Sequence, residues 1–120
     1  MTEAQFRKLF AGWGGVTLDI KWESHLVASI DGRMFAMLNL PGWPRAGWVH
    51  FKADDDLFLA LTEQPGIQAA AYLARARWVT VTEPKRYPRD WFAASVRRAY
   101  ELIGAKLSKK RQRELGLLPA

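Results

Sequence analysis

Basic side chains crowd the carboxyl-terminal third of the chain, and the chemistry they favour is phosphate binding. Residues 85–120 carry ten Lys and Arg against three acidic residues, a net charge of +7, whereas residues 1–84 have a net charge of −1. Each Lys or Arg that neutralises a phosphate releases a counterion, so such clusters bind nucleic acid in a salt-sensitive way. The predicted phosphate contacts are Lys85, Arg86, Arg89, Arg97, Arg98, Lys109, Lys110, Arg111 and Arg113. The helix dipole also favours basic residues at helix carboxyl ends, so a merely solvated surface is the alternative.

Two turns add groups that can reach the grooves or bases of a nucleic acid. In Trp43-Pro44-Arg45, a rigid aromatic ring stands next to a guanidinium in a loop with two prolines and two glycines. Such a pair can stack on a base or enter a groove, although Trp43 can equally fold back over the core. The turn at Asp31-Gly32 presents Arg33 at a second tip, but hairpin geometry favours Asp-Gly whatever the function.

A third candidate surface combines aromatic and polar side chains on two predicted strands. If the apolar positions of residues 48–52 face the core, strand alternation places Trp48, His50 and Lys52 on the opposite face, near Trp78. Rings interleaved with Lys can stack flat groups and hold phosphate, so Lys52 joins the predicted nucleic-acid contacts. Trp48, His50 and Trp78 form the alternative site, for a protein partner. Because tryptophans are usually largely buried, both can instead simply cover the sheet.

Patterns for catalysis and metal binding are weak in this sequence. The chain has no cysteine, which removes disulfides, thiolate nucleophiles and cysteine-ligated metals. Asp19, Glu23 and His25 lie along a strand and its exit, in no arrangement that directs all three at one ion. The triplet Asp54–Asp56 lacks the pattern of a calcium loop and fits a helix amino terminus. We therefore expect no catalytic residue, no metal, no cofactor and no enzymatic activity.

Hydrophobic periodicity predicts the elements that position these groups. Alternating apolar residues predict strands over 18–22, 26–30, 33–40, 48–52 and 77–82. Helix signals follow Thr2, Asp54–Asp56, Pro88 and Ser108. Residues 67–76 carry no clear period and are predicted to be irregular. The resulting order is α-β-β-β-β-α-β-α-α, an α+β fold with a mostly antiparallel sheet of about five strands and helices packed on one face.

Length and composition favour one domain over residues 1–120. Apolar residues make up 49% and charged residues 25% of the 120, which are ordinary values for a globular chain of this size. No apolar run reaches the roughly 18 residues of a membrane span, and the amino terminus lacks a secretory signal. We therefore expect a cytoplasmic protein that has no membrane contact.

Several short motifs in series resemble those of the MmcQ/YjbR family. They are Asp19-Ile20-Lys21-Trp22, Gly32-Arg33-Met34-Phe35-Ala36, Phe51-Lys52-Ala53-Asp54, Gln64-Pro65-Gly66-Ile67, Ala71-Tyr72-Leu73-Ala74-Arg75, Trp78-Val79 and Tyr100-Glu101-Leu102-Ile103 with Lys106-Leu107-Ser108-Lys109-Lys110. Their order and spacing are similar to the family's over nearly the whole chain. Members are small, bacterial and single-domain, with a fold like that of the bacterial frataxin CyaY. The resemblance therefore implies helices on one side of an antiparallel sheet.

The same resemblance implies a function. Members of the family are described as DNA-binding proteins with a double-wing motif, which the hairpins at Asp31-Gly32 and Trp43-Pro44-Arg45 would suit. The chain departs from the family pattern at Glu23-Ser24-His25-Leu26, where a glycine and a proline commonly surround the histidine. The iron chemistry of frataxins is not implied, because their metal surface is an acidic first helix and here Glu3 is the one acidic residue of that helix.

Three functions are compatible with these observations. The first is a nucleic-acid-binding module, for DNA by the resemblance, with basic residues on phosphates and the turns on grooves. The second is a protein-interaction adaptor that uses the aromatic sheet face. The third is a small-molecule enzyme, which requires a closed pocket with His25 or His50 near a carboxylate. The first function requires the basic side chains to gather on one surface beside the turn tips.

Overall fold

A six-stranded antiparallel sheet lies at the centre of the computed structural model, which describes residues 1–119. The strands are β1 (Val16–Lys21), β2 (His25–Ile30), β3 (Arg33–Asn39), β4 (Val49–Lys52), β5 (Ile67–Ala69) and β6 (Trp78–Val81), in the spatial order β1-β2-β3-β4-β6-β5. The helices are α1 (Glu3–Lys8), α2 (Phe58–Thr62), α3 (Arg89–Gly104) and α4 (Lys109–Glu114). The predicted α+β class is confirmed. Ala120, the last residue of the predicted domain, lies outside the described residues.

The sheet contains one strand more than predicted. Residues 67–76, predicted to be irregular, begin with β5, which pairs with β6 through Ile67 opposite Val81. Of its three residues only Ile67 is buried, so the strand is too short for an alternating pattern to appear in the sequence. The order is therefore α-β-β-β-β-α-β-β-α-α.

The helices cover one face of the sheet, as predicted. On α3, Phe92, Val96, Ala99 and Ile103 are spaced by three or four residues and are all buried, because this spacing keeps them on one side of the helix. They join the largest core cluster, whose fully buried aromatic side chains are Tyr100, Phe6, Phe35, Phe51 and Phe92. Burying each such side chain contributes roughly 1.5–3 kcal/mol, so this face holds most of the packing energy.

The hairpin between β2 and β3 confirms the turn predicted at Asp31-Gly32. Ile30 pairs with Arg33, which leaves a two-residue loop with φ of +51° at Asp31 and +77° at Gly32. Positive φ at both central residues matches the right-handed twist of the flanking strands, and Asp-Gly adopts it at low cost. The turn therefore presents Arg33 at one end of the sheet.

The prediction that Asp54–Asp56 cap a helix is wrong. Helix α2 starts after Leu57, which makes no side-chain capping bond. Asp54 instead accepts two hydrogen bonds of 2.9 Å from the Arg98 guanidinium, one on each carboxylate oxygen. An acidic triplet before a helix looks the same in the sequence whether it caps the helix or pairs with a distant arginine.

The carboxyl-terminal segment is tied to the rest of the fold through close backbone contact. Ser108 caps α4 by accepting a 3.1 Å hydrogen bond from the Arg111 amide, as predicted. Beyond α4, Leu115 and Leu117 pack against the main core. The backbone of Gly14 runs so close to the Leu115 carbonyl that a methyl group at Gly14 would overlap this oxygen.

Gly14→Ala is therefore expected to loosen the segment from 109 to 118 and to lower the free energy of unfolding by about 1–3 kcal/mol. Hydrogen exchange at the amides of α4 should accelerate. Gly104→Ala is the matched control, because a methyl group there meets the flexible end of the Leu117 side chain at 3.0 Å. Equal protection of α4 in both variants would contradict the predicted role of this contact.

Candidate functional site

An ion pair fastens α4 to the hairpin turn between β2 and β3. The Arg111 Nε and Nη2 atoms donate to Asp31 Oδ1 at 3.1 and 3.0 Å. The Arg111 Nη1 atom donates to Glu114 at 2.9 Å. Exposed pairs of this kind add little stability, but this one joins two segments that are eighty positions apart in the chain. Together with the packing of Leu115 and Leu117 on the core, it places α4 beside the turn.

The contact places α4, which carries further exposed basic residues, beside the same turn. Lys109, Lys110 and Arg113 are exposed on α4, and Arg33 is exposed two positions beyond Asp31. Among residues 1–119, no carboxylate lies within ion-pair distance of these four side chains. We call this group, Arg33, Lys109, Lys110 and Arg113, the α4–turn surface. It combines Arg33 of one predicted turn with three residues of the predicted basic tail, and Arg111 of the same tail links the two segments.

Other predicted phosphate contacts are neutralised where they stand. Arg98 pairs with Asp54 at 2.9 Å and Arg86 with Glu83 at 3.1 Å. Arg97 pairs with Glu101 at 3.6 Å and lies 5.0 and 4.8 Å from the ring centroids of Trp13 and Tyr100. These arginines are therefore engaged within the protein, so the expectation of one unbroken basic surface is corrected.

The remaining basic candidates lie at the far end of the sheet. Lys85 and Arg89 border a surface depression together with Pro41 and Gly47 of the β3–β4 loop. This loop follows β3, whereas Asp31-Gly32 precedes it, and the seven residues of β3 span about 20 Å. The structure therefore separates the two predicted wings, with Trp43 and Arg45 at one end and Arg33 at the other.

The second face of the sheet is partly covered, so of the two alternatives for Trp78 the structure supports the one in which it covers the sheet. Val49 and Phe51 face the helices as predicted. Trp78, however, is 4% exposed and forms a second small core with Val27, Met37 and Ala70, against which Met34 and Leu73 pack. The Trp78 ring is therefore not accessible to a partner.

Lys52 is also buried on this face, beneath the segment from residue 70 to residue 77. Its side chain is 11% exposed, and Nζ donates a 2.5 Å hydrogen bond to the carbonyl oxygen of Ala76. Burial lowers the pKa of Lys52. Because its side chain is buried and bonded to Ala76, Lys52 is unavailable for phosphate. Strand alternation predicted the face of Lys52 correctly, but the sequence contained no signal that residues 70–77 fold across that face.

Beside this cover, the sheet face opens into a cleft of about 530 Å³. Side chains of β2, β3, β4 and β6 form its floor, and the β3–β4 loop and the segment after β5 form its walls. The floor includes His25, Met37, Asn39, His50 and Thr80, and the walls include Trp43, Pro44, Arg45, Trp48, Tyr72 and Leu73. The lining holds both histidines, and within the described residues it holds no carboxylate. The arrangement that would favour an acid–base enzyme is therefore incomplete.

A hydrogen-bond chain determines which ring nitrogen of neutral His50 carries the proton. The Asn39 side-chain amide donates to the Arg45 carbonyl at 3.1 Å, so its oxygen must face the His50 Nε2 atom, 2.8 Å away. Nε2 therefore carries a proton, and Nδ1 accepts from the Thr80 hydroxyl at 2.8 Å. Burial, together with the nearby His25, lowers the pKa of His50 to about 4. The imidazole is neutral near pH 7 and holds its neighbours in place.

His25 stands next to this chain at the edge of the cleft. Its ring centroid lies 6.1 Å from that of His50, and its Nδ1 lies 2.6 Å from the Ser24 hydroxyl oxygen. Burial lowers the pKa of His25 as well. Within residues 1–119, no group of three or more His, Asp or Glu side chains is placed to hold a metal ion.

Two residues on opposite walls of the cleft hold strained backbone conformations. Arg45 has φ of +63° and Tyr72 has φ of +64°, in a region that side chains other than glycine and asparagine rarely adopt. Tyr72 is also fully exposed, so no packing of its ring offsets this strain. Four other non-glycine residues with positive φ, Trp22, Glu23, Asp31 and Arg77, lie outside the cleft lining, so backbone strain alone does not mark this site.

Tyr72→Gly is expected to raise the free energy of unfolding by about 0.5–1 kcal/mol, because glycine adopts positive φ without a steric cost. Ala71→Gly, at an exposed neighbour with ordinary φ, should lower stability by a similar amount. Urea unfolding of the two variants beside the unaltered protein measures both changes. A loss of stability in Tyr72→Gly would show that its ring contributes to the fold.

The sequence signalled parts of this cleft and missed others. Trp48 and His50 follow from strand alternation, and Trp43 and Arg45 from the composition of their loop. Asn39 was missed, although a polar residue at the end of an apolar strand is a detectable signal. Tyr72 lies in a segment without periodicity, so no local pattern brings it opposite Arg45.

None of the described helices is long and apolar enough to cross a membrane.

Comparison with known proteins supports the family resemblance. A family model named YjbR matches residues 11–102. The crystal structure of Deinococcus radiodurans protein DR2400, with the family domain DUF419, superposes with a TM-score of 0.84 at 21% identity, covering 96% of this chain and 88% of that one. A Pseudomonas syringae protein, structural genomics target PsR293, gives a TM-score of 0.66 at 19% identity, covering 85% of this chain and 98% of that one. At these identities the two structures show a shared fold alone. No curated protein matches the chain significantly.

Proposed function

The chain belongs to the YjbR family, and from that premise we propose that it is a nucleic-acid-binding module whose phosphate contacts come from the α4–turn surface. The observation that carries this proposal is the Arg111–Asp31 ion pair, since it holds the basic helix against the turn that bears Arg33. The proposed role is binding alone, without a catalysed reaction. The resemblance to MmcQ/YjbR proteins favours DNA as the nucleic acid.

The spacing of residues on α4 supports this role. Lys109 and Arg113 are four positions apart and Lys110 and Arg113 are three apart, so all three share one side of the helix. Arg111 and Gln112 are partly buried and attach α4 to the protein, with Gln112 Nε2 donating to the Leu107 carbonyl at 2.7 Å. One side of α4 therefore attaches the helix to the protein, and the other side presents three basic residues to a polyanion.

The turn supplies a second kind of contact. A two-residue hairpin is narrow. Arg33 directly follows this hairpin loop, two positions after the Asp31 that pairs with α4. From there its guanidinium can bind phosphate oxygens or reach into a groove. Arg111 is already held by Asp31 and Glu114, so its proposed role is to position α4.

A salt titration tests the proposal. Binding to duplex DNA, single-stranded DNA and RNA is measured by gel shift between about 50 and 200 mM salt. Four phosphate contacts predict that the logarithm of affinity falls by about 3–4 per logarithm of salt, roughly a 100-fold loss over this range. Duplex DNA should bind with at least the affinity of the other two. No detectable binding at the lowest salt concentration would overturn the proposal.

A further inference from the structure

We propose that the cleft on the sheet face binds a single nucleotide unit, a flat heteroaromatic ring that carries a phosphate. The site is distinct from the α4–turn surface and lies at the other end of β3. Its volume of about 530 Å³ is within the range of pockets that bind small ligands, about 300–1,000 Å³. The proposal rests on the rings in its walls, the polar groups of its floor and the charge of its rim.

Aromatic side chains line both walls. Trp43 is 43% exposed and Tyr72 is fully exposed, while Trp48 lies half-buried between the loop and the floor. Large exposed rings at a cleft are costly in water and offer flat faces for stacking, which accepts any base because every base has a π-face. The walls therefore favour a planar ring as the occupant.

The polar groups of the floor match the edge of a heteroaromatic ring. The hydrogen-bond chain through His50 leaves unused capacity: the second amide hydrogen of Asn39, a lone pair of the Thr80 hydroxyl and the Nε2 atom of His25. Gln68, exposed at the rim, adds another amide. Because Asn39 also donates to the Arg45 carbonyl, the floor and the basic wall are held in a fixed relation. A ring with donors and acceptors on its edge can bond to this floor.

The charge of the rim selects an anion. Arg45 is the one Arg or Lys of the described lining, and the same lining contains no carboxylate. The Arg45 guanidinium lies over the Trp48 ring, 5.2 Å from its centroid. One flat face of the guanidinium therefore contacts Trp48, while the N–H groups at its edge can bind oxygen atoms. A phosphate attached to the stacked ring is the complementary group.

Calorimetric titration with AMP, GMP, CMP and UMP tests the site, and a short single-stranded oligonucleotide forms a second arm. Trp43→Ala and Arg45→Asn are each expected to weaken binding about tenfold or more; asparagine is chosen because it tolerates positive φ. Tyr72→Gly should weaken binding while the melting temperature rises. Arg75→Gln, an exposed arginine outside the cleft, is the control and should leave affinity unchanged.

The outcomes are separable. Binding of free mononucleotides, with shifts of the His50 ring resonances in NMR spectra, supports a small-molecule site. Binding of the oligonucleotide alone, with the same dependence on Trp43 and Arg45, assigns the nucleotide to a single strand. Absence of heat and of resonance shifts with either probe at millimolar concentration overturns the inference. Charge reversal on α4 should leave mononucleotide affinity unchanged, so failure of the proposed DNA contact does not affect this test.

Discussion

Replacing Lys109, Lys110 and Arg113 together by glutamate is expected to lower the affinity for duplex DNA by about 100- to 1,000-fold at roughly 100 mM salt. Each substitution removes one cation that releases a counterion from DNA and adds a charge that phosphates repel. The three side chains are exposed, so the fold should be retained. The slope of log affinity against log salt should become smaller by about 2–3, which separates lost phosphate contacts from general damage.

The matched control reverses three exposed basic residues elsewhere, Lys8, Lys21 and Arg75. Both triple variants lower the net charge from +6 to zero, so they differ in the position of the charges alone. The control should keep most of its affinity, because a contact depends on where the cations lie. Equal losses in the two variants would indicate that only the overall charge attracts DNA and would remove the α4–turn surface as a specific interface.

The second large effect is a loss of stability in acid that originates at His50. In the folded protein the pKa of His50 is lowered from 6.5 to about 4, whereas in the unfolded chain it returns to its ordinary value. Between these two pH values the unfolded chain binds more protons, so the free energy of unfolding falls as the pH falls. The stabilisation is complete above about pH 6.5 and is lost towards pH 4, with a difference on the order of 3 kcal/mol.

Urea unfolding at several pH values between 4 and 7 measures this loss, and NMR titration of the His50 ring measures its pKa directly. His50→Gln is the comparison variant, since glutamine can hydrogen-bond to Asn39 and Thr80 but does not titrate. Its stability should fall less steeply with acid than that of the unaltered protein. His25→Gln controls for the neighbouring imidazole, whose pKa is also lowered. A His50 pKa close to 6.5 would contradict the prediction.

The basic residues do not form one broad face that includes both predicted wings. The Arg111–Asp31 ion pair instead links α4 to the Asp31-Gly32 turn alone. Because the β3–β4 loop lies about one strand length from Asp31-Gly32, the two turns act as separate elements. Arg33 belongs with α4 in the proposed DNA contact, and Arg45 belongs with the cleft. The two proposals therefore assign the two turns to different sites.

Local patterns in the sequence were sufficient for most of the fold. The Asp31-Gly32 turn, the stripe from Phe92 to Ile103 and the Ser108 cap each depend on residues within a few positions of one another, so backbone geometry and hydrophobic period predict them directly. The same patterns failed at β5, where three residues provide too little period, and at Asp54, whose partner Arg98 is 44 positions away.

The sequence by itself determined five of the six strands, the side of the sheet that the helices cover and the excess of positive charge near the carboxyl end. Tertiary structure alone decided that Trp78 and Lys52 lie beneath the segment 70–77, that Arg111 pairs with Asp31, and that Tyr72 and Arg45 flank one cleft. The physical reason is the separation along the chain of the residues that interact. The direction of side chains repeats about every two to four residues, so a local pattern shows it. Which segment covers a sheet face, which residues form ion pairs and how a cleft is shaped depend on segments that are far apart in the sequence.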